Sequence, residues 1–142
     1  MVYYIHLMTI TTEAAILERR ADGGLEIHFR EGVKITVERI REILDARENL
    51  CGKGKYTVLV TLPEEVDLDV DVLTQDHYHT RDLEDCTYAV AWDAENTMNE
   101  RLVELFYTYF PQRFPVKVFR SEEEARGWLT SLDGKTVDEA QK

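Results

Sequence analysis

His77 and His79 lie two residues apart, with Asp82 and Cys86 close behind them. Segment 76–86 is the densest collection of metal-ligand types in the chain, and a metal-dependent hydrolase using His77, His79 and Asp82 is the chemistry it would suggest. The spacing weighs against that. On a helix, residues two apart project about 200° from each other, so one ion could not take both imidazoles. A tetrahedral zinc site would also need a third and a fourth ligand, and Asp82 or Cys86 would supply them only at irregular spacing. The expected structure is a polar helix end followed by a loop.

A second candidate is the acidic segment 63–71, with carboxylates at Glu64, Glu65, Asp67, Asp69 and Asp71. Calcium loops also alternate oxygen ligands, but they need a glycine at the sharp turn and a closing bidentate glutamate, and neither is present. Asp67, Asp69 and Asp71 are therefore read as an interaction surface at the start of a helix, whose N-terminus favours negative charge. The sequence has no Gly-rich dinucleotide fingerprint, no phosphate-binding loop and no nucleophile elbow. Its serines are Ser121 and Ser131, and Ser121 is needed as a helix cap. Cys86 follows Asp82, Glu84 and Asp85, which should raise its thiol pKa rather than activate it. His28 alternates with buried residues and reads as a surface imidazole. No cofactor and no metal is called for.

The elements that position these residues are clearest in the last third of the chain. Thr87–Trp92 reads as a buried strand. Thr97 and Glu100 form a capping box for a helix running to about Phe110, where Pro111 ends it. Phe114–Phe119 reads as a further strand, and Ser121 with Glu124 caps a helix ending near Leu132. Two successive strand–helix units predict a largely parallel sheet. In the first helix Met98, Leu102, Leu105, Phe106 and Tyr109 give an apolar stripe. Phe106, Tyr107, Tyr109, Phe110 and Phe114 together exceed what one sheet face should need, so they are candidates for an apolar pocket or a dimer seam. In the second helix Ala125, Trp128, Leu129 and Leu132 form the stripe, and Gly127 is expected to permit close packing.

Upstream, residues 1–11 read as an extra strand or an arm that packs on a partner. Glu13–Arg20 and Leu25–Phe29 form a hairpin about the turn at Asp22 and Gly23. Leu25, Ile27 and Phe29 alternate with Glu26 and His28, so one face should be buried and the other wet. Thr36 caps a helix in which Val37, Ile40, Ile43, Leu44 and Arg47 recur at helical spacing. Tyr56–Leu62 is nearly continuous in apolar character, as a central strand buried on both faces should be. A helix over 69–79 is expected next. Residues 12–132 form one domain and 133–142 a polar tail.

The 142 residues carry 28 acidic and 17 basic side chains, a formal charge of −11. Such a surface repels nucleic acid and anionic membranes. There is no secretory signal and no run long enough to span a membrane. Cys51 and Cys86 have no metal-type spacing, and a cytoplasmic protein is expected.

The order ββαβαβαβα, a single mixed and mostly parallel sheet with an N-terminal hairpin, resembles a STAS-type domain. More narrowly it resembles small bacterial proteins described as STAS-like or SpoIIAA-like, of unknown function. The resemblance covers about Thr12 to Leu132. It rests on Leu25–Gly32 followed by Ile35 and Thr36, on Tyr56–Val60, and on Pro115–Phe119 running into Ser121–Leu129. It implies a non-enzymatic regulatory module that binds a protein partner or a second copy of itself. Such anti-sigma-factor antagonists carry a phosphorylatable serine after the central strand. Segment 66–71 has no serine or threonine, and Asp69 stands near where the phosphate charge would be. The comparison of some SpoIIAA-like relatives with CRAL-TRIO lipid-exchange domains implies the alternative, a small apolar ligand or lipid.

Overall fold

The structure, a computed structural model, describes residues 8–51 and 54–132. The expected tail 133–142 and most of the expected N-terminal arm lie outside those residues. The described part of the arm, Thr9–Thr11, is strand β1. It pairs antiparallel with β2 (Ala15–Arg19), which pairs antiparallel with β3 (Leu25–Phe29). β4 (Tyr56–Thr61), β5 (Thr87–Asp93) and β6 (Val116–Phe119) then follow in parallel, giving one six-stranded sheet in sequential order.

The β2–β3 hairpin is closed by Arg20 N–H donating to the Gly24 carbonyl at 2.7 Å, and Asp22 accepts from Gly24 N–H at 2.9 Å. Gly23 has φ +93°, a conformation that side chains with a Cβ resist. In the centre of the sheet Val58, Leu59 and Val60 and then Ala89, Val90 and Ala91 are all at most 4% exposed. These strands are buried on both faces because helices cover both.

On one face lie α1 (Val37–Cys51) and α2 (Thr97–Tyr109), the crossovers from β3 to β4 and from β5 to β6. On the other lies α3 (Glu122–Ser131), whose Ala125, Trp128 and Leu129 pack on Leu59 and Ala91. Thr36 Oγ1 accepts from Arg39 N–H at 3.1 Å at the start of α1, and Ser121 Oγ accepts from Glu124 N–H at 3.2 Å at the start of α3. No helix among the described residues is long and apolar enough to cross a membrane.

Several expectations are corrected. The helix over 69–79 does not form. The connector from β4 to β5 instead holds three short 3-10 turns, Val70–Thr74, His79–Arg81 and Leu83–Asp85. Val70, Val72 and Thr74 lose side-chain freedom in a helix, and Asp76 competes for the backbone. Its Oδ1 accepts from Tyr78 N–H at 3.0 Å and His79 N–H at 3.1 Å. The cap of α2 is Asn96, which accepts from Asn99 N–H at 2.9 Å, while Glu100 is engaged by Arg120.

The buried stripe of α2 is also rotated from the expected one. Asn99, Leu102, Val103, Phe106 and Tyr107 face inward, whereas Met98, Leu105 and Tyr109 are exposed. A Cβ on Gly127 would meet nothing within 4 Å, so that glycine permits no close packing. Glu26 is 3% exposed, so the polar face of β3 is covered rather than wet.

Candidate functional site

Between the sheet, α1, α2 and the connector, packing leaves a half-open cavity of about 140 Å³. Its floor is Ile27, Val58, Val60 and Trp92 of the sheet. Ile43, Leu44 and Arg47 of α1 form one wall, and Leu102, Phe106 and Tyr107 of α2 the other. Leu73, His77, Tyr78 and Leu83 of the connector close over it.

The connector behaves as a strap fastened at several points. Asn99, 2% exposed, donates to the carbonyls of Pro63 at 2.9 Å and Glu64 at 3.2 Å, and Asn96 donates to the Glu64 carbonyl at 2.8 Å. Ile35 and Leu68 form a parallel bridge, with Ile35 N–H on the Asp67 carbonyl at 2.8 Å and Asp69 N–H on the Ile35 carbonyl at 3.0 Å. Arg81 reaches Asp45 at 2.7 Å and Glu48 at 3.3 Å on α1.

The lining is overwhelmingly apolar, with polar groups at three places. The first is Arg47, 2% exposed. Its Nε donates to the Tyr56 hydroxyl at 2.7 Å and its Nη2 to Thr87 Oγ1, which in turn donates to the Leu83 carbonyl at 2.6 Å. The guanidinium also lies 5.0 Å from the Tyr56 ring centre and 3.8 Å from Cys86 Sγ. Burial pushes the Tyr56 phenol well above its usual range, so it stays neutral. A guanidinium cannot shed its proton. The group is thus a buried cation with no carboxylate among these contacts.

The second place joins Trp92, Tyr107 and Tyr78. Trp92 Nε1 donates to the Tyr107 hydroxyl at 3.1 Å, and the Tyr107 and Tyr78 hydroxyls are 2.5 Å apart. Burial raises the pKa of both phenols. The third is His77, whose Nε2 donates to the Val72 carbonyl at 2.9 Å and whose ring stacks on Phe106 at 5.8 Å.

The residues singled out from the sequence are dispersed. Phe106 and Tyr107 line the cavity. Phe110 packs on Phe106 at 5.4 Å, Phe114 is buried against Tyr78 at 5.1 Å, and Tyr109 is 66% exposed on the opposite side of α2. His77 turns inward, His79 and Asp82 are exposed, and these three do not converge on a common point within ligand reach. Asp67 and Asp71 are exposed, while Asp69 is held by Lys34 Nζ at 2.9 Å.

Arg47 and Tyr78 were not recognisable as site residues from the sequence. The one signal was a charge at a core position of the α1 stripe, four residues after Ile43.

On the opposite face of the sheet, Glu18, Glu26 and His28 bring their ligand atoms within 4.8 Å of one another. Glu26, however, accepts from Arg20 at 2.6 Å, from both terminal nitrogens of Arg126 and from His28 at 2.9 Å. Cations already occupy its lone pairs, so this trio is a structural knot and fits a metal ion poorly.

A family model described as "Domain of unknown function (DUF7793)" matches residues 18–133. Among solved structures, the chain is similar to an uncharacterised protein of the DUF3478 family with a SpoIIAA-like fold from Shewanella loihica PV-4. Identity is 20%, the TM-score is 0.57, and the alignment covers 84% of this chain and 98% of that one. At that identity the likeness shows the fold. None of the curated proteins matches the sequence.

Proposed function

The chain belongs to the DUF7793 family, a domain of unknown function, and from that premise we propose that it is a non-enzymatic binding module that takes a small apolar ligand between α1 and α2. The observation that carries this is the cavity of about 140 Å³ with an almost wholly hydrocarbon and aromatic lining. An apolar cavity of about 150 Å³ is large enough to hold benzene. Well-packed domains of this size rarely leave such a void empty, because it forfeits dispersion contacts on every wall. The lining contributes no carboxylate, thiol or aliphatic hydroxyl. It is therefore suited to retaining a molecule rather than to breaking one.

The test is native mass spectrometry of freshly purified protein, followed by challenge with hexane-sized and benzene-sized probes. Retention of a probe or a raised unfolding temperature is expected. A clean protein mass with no uptake and no thermal shift overturns the reading.

A second reading, contact with a protein partner or a second copy of this chain, is favoured by exposed apolar side chains. Val70 is 69% exposed and Met98 68%, on the connector and on α2, which pack on each other. Light scattering of Met98→Glu against wild type checks self-association, and capture of partners by Asp67→Asn with Asp71→Asn checks the acidic surface. A strict monomer at high concentration removes the homodimer.

A further inference from the structure

Arg47 is the feature of the cavity that simple apolar binding does not explain. Moving a cation out of water is costly unless charge and hydrogen bonds compensate it. Here the hydrogen-bond partners are Tyr56, Thr87 and Cys86, and no carboxylate lies within ion-pair reach of the guanidinium among the described residues. A methionine or leucine would fill the same α1 position at lower cost if packing were the only requirement.

A second observation points the same way. Trp92 donates to the Tyr107 hydroxyl, and the Tyr107 and Tyr78 hydroxyls share one hydrogen bond. Two phenols carry two protons, and one bond between them uses only one, so the other is available to an acceptor in the cavity. Arg47, Tyr78 and Tyr107 all line this cavity, and the charge of Arg47 is felt at both phenols.

We infer that the ligand is a small carboxylate with an apolar body of about six carbons, its head on Arg47 and the free phenolic proton of the Tyr78–Tyr107 pair and its body against Leu102 and Phe106. This rests on the ligand-binding reading above and adds the head group. Tyr56 and Thr87 already take Nε and Nη2 of Arg47, so the carboxylate sits on Nη1, and a charge-assisted bond against an apolar lining is among the stronger polar contacts. Size follows from the cavity volume, which matches one six-membered ring or a short chain rather than a long acyl tail.

The test compares hexanoate, hexanol and hexylamine on the full chain by calorimetry, with the Arg47 Nε–H followed by NMR. Wild type is expected to bind hexanoate at least tenfold more tightly than hexanol, to reject hexylamine, and to shift the Arg47 signal on addition of hexanoate. Arg47→Met is expected to lose the preference for hexanoate and keep hexanol, and Arg47→Lys to retain part of it. Equal binding of hexanol and hexanoate by wild type, or hexanoate affinity unchanged in Arg47→Met, overturns the head-group assignment and leaves the cavity reading standing. Failure of all three probes overturns both. The wild-type comparison decides the matter even where a variant does not fold.

Discussion

Arg126 of α3 and Glu26 of β3, separated by 100 residues of chain, form a two-point ion pair, with Nη1 to Oε2 at 2.5 Å and Nη2 to Oε1 at 2.9 Å. Arg20 reaches the same carboxylate from the hairpin and His28 from its own strand. A carboxylate under a helix would be costly alone, and three donors repay that cost. The pair anchors α3 on the face of the sheet opposite the cavity.

Glu26→Gln should therefore lower stability by about 2–3 kcal/mol, because three cationic or cation-forming groups would face a neutral amide. Arg126→Ala should cost less, about 1 kcal/mol, since Arg126 is partly solvated and Glu26 keeps Arg20 and His28. Urea denaturation of both variants measures this. A Glu26→Gln protein as stable as wild type would show that the cluster contributes nothing net.

The dependence of stability on pH follows from three groups. Burial opposes ionisation of Glu26, but hydrogen bonds from His28, Arg126 and Arg20 outweigh it and hold the carboxyl well below its usual range. Its contribution is present above about pH 4.5 and is lost as pH falls below that. The Glu26 hydrogen bond raises the His28 pKa against burial, so its contribution is full below about pH 6.5 and is lost as pH rises through the elevated value. Burial, then Glu95 and Glu122, push Asp93 up to about 6. A raised carboxyl favours the folded state at low pH and ceases to do so as pH climbs from 3.8 through 6. Stability should therefore peak on the acid side of neutrality. Asp93→Asn should gain about 1–3 kcal/mol at pH 7.5 and flatten the profile between pH 4 and 6. Thermal melts across pH 4–9 check this, and an optimum above pH 7.5 contradicts it.

Much of this architecture is legible in the chain because burial on both faces leaves a simple record. Val58, Leu59 and Val60 announce a central strand, and Ser121 and Thr36 announce helix starts by their side-chain oxygens. The helical spacing of Val70, Leu73 and His77 predicts a helix in the connector that short 3-10 turns replace. Periodicity alone does not weigh the β-branched residues and the competing Asp76 turn. The site was harder still. A cavity is a property of what three separate elements leave unfilled. Phe106 and Tyr107 could be suspected from aromatic surplus, but Arg47 looked like one more member of a helical stripe until Tyr56 and Thr87 were seen around it. His28 and Glu26 looked solvent-facing because alternation cannot show that a helix 100 residues away covers that face.

The strap over the cavity depends on Asn99. Its buried amide ties α2 to the Pro63 and Glu64 carbonyls. Asn99→Leu should leave the Pro63 carbonyl without its donor, the Glu64 carbonyl keeping Asn96, and cost about 1–3 kcal/mol. More tellingly, it should speed hydrogen exchange in 63–74 before it changes exchange in β4 and β5, since the strap can open without unfolding the sheet. Uniform acceleration across the domain would mean that the connector and the sheet unfold as one unit.

Filling the cavity separates binding from folding. Leu102 lines the void from α2 and is only half-buried, so a larger side chain has room to turn inward. Leu102→Trp should occupy most of the space and reduce uptake of hexane-sized or benzene-sized probes at least tenfold. The added contacts replace dispersion that the empty walls lack, so stability should be unchanged or slightly higher, by up to about 1 kcal/mol. Large-to-small changes predict the reverse. Phe106→Ala should enlarge the void, cost about 3–5 kcal/mol, and admit bulkier probes. Paired measurements of unfolding and probe affinity distinguish a true binding cavity from a packing defect. If Leu102→Trp binds the probes as well as wild type does, they sit elsewhere, and the space between α1 and α2 is only an imperfection of the core.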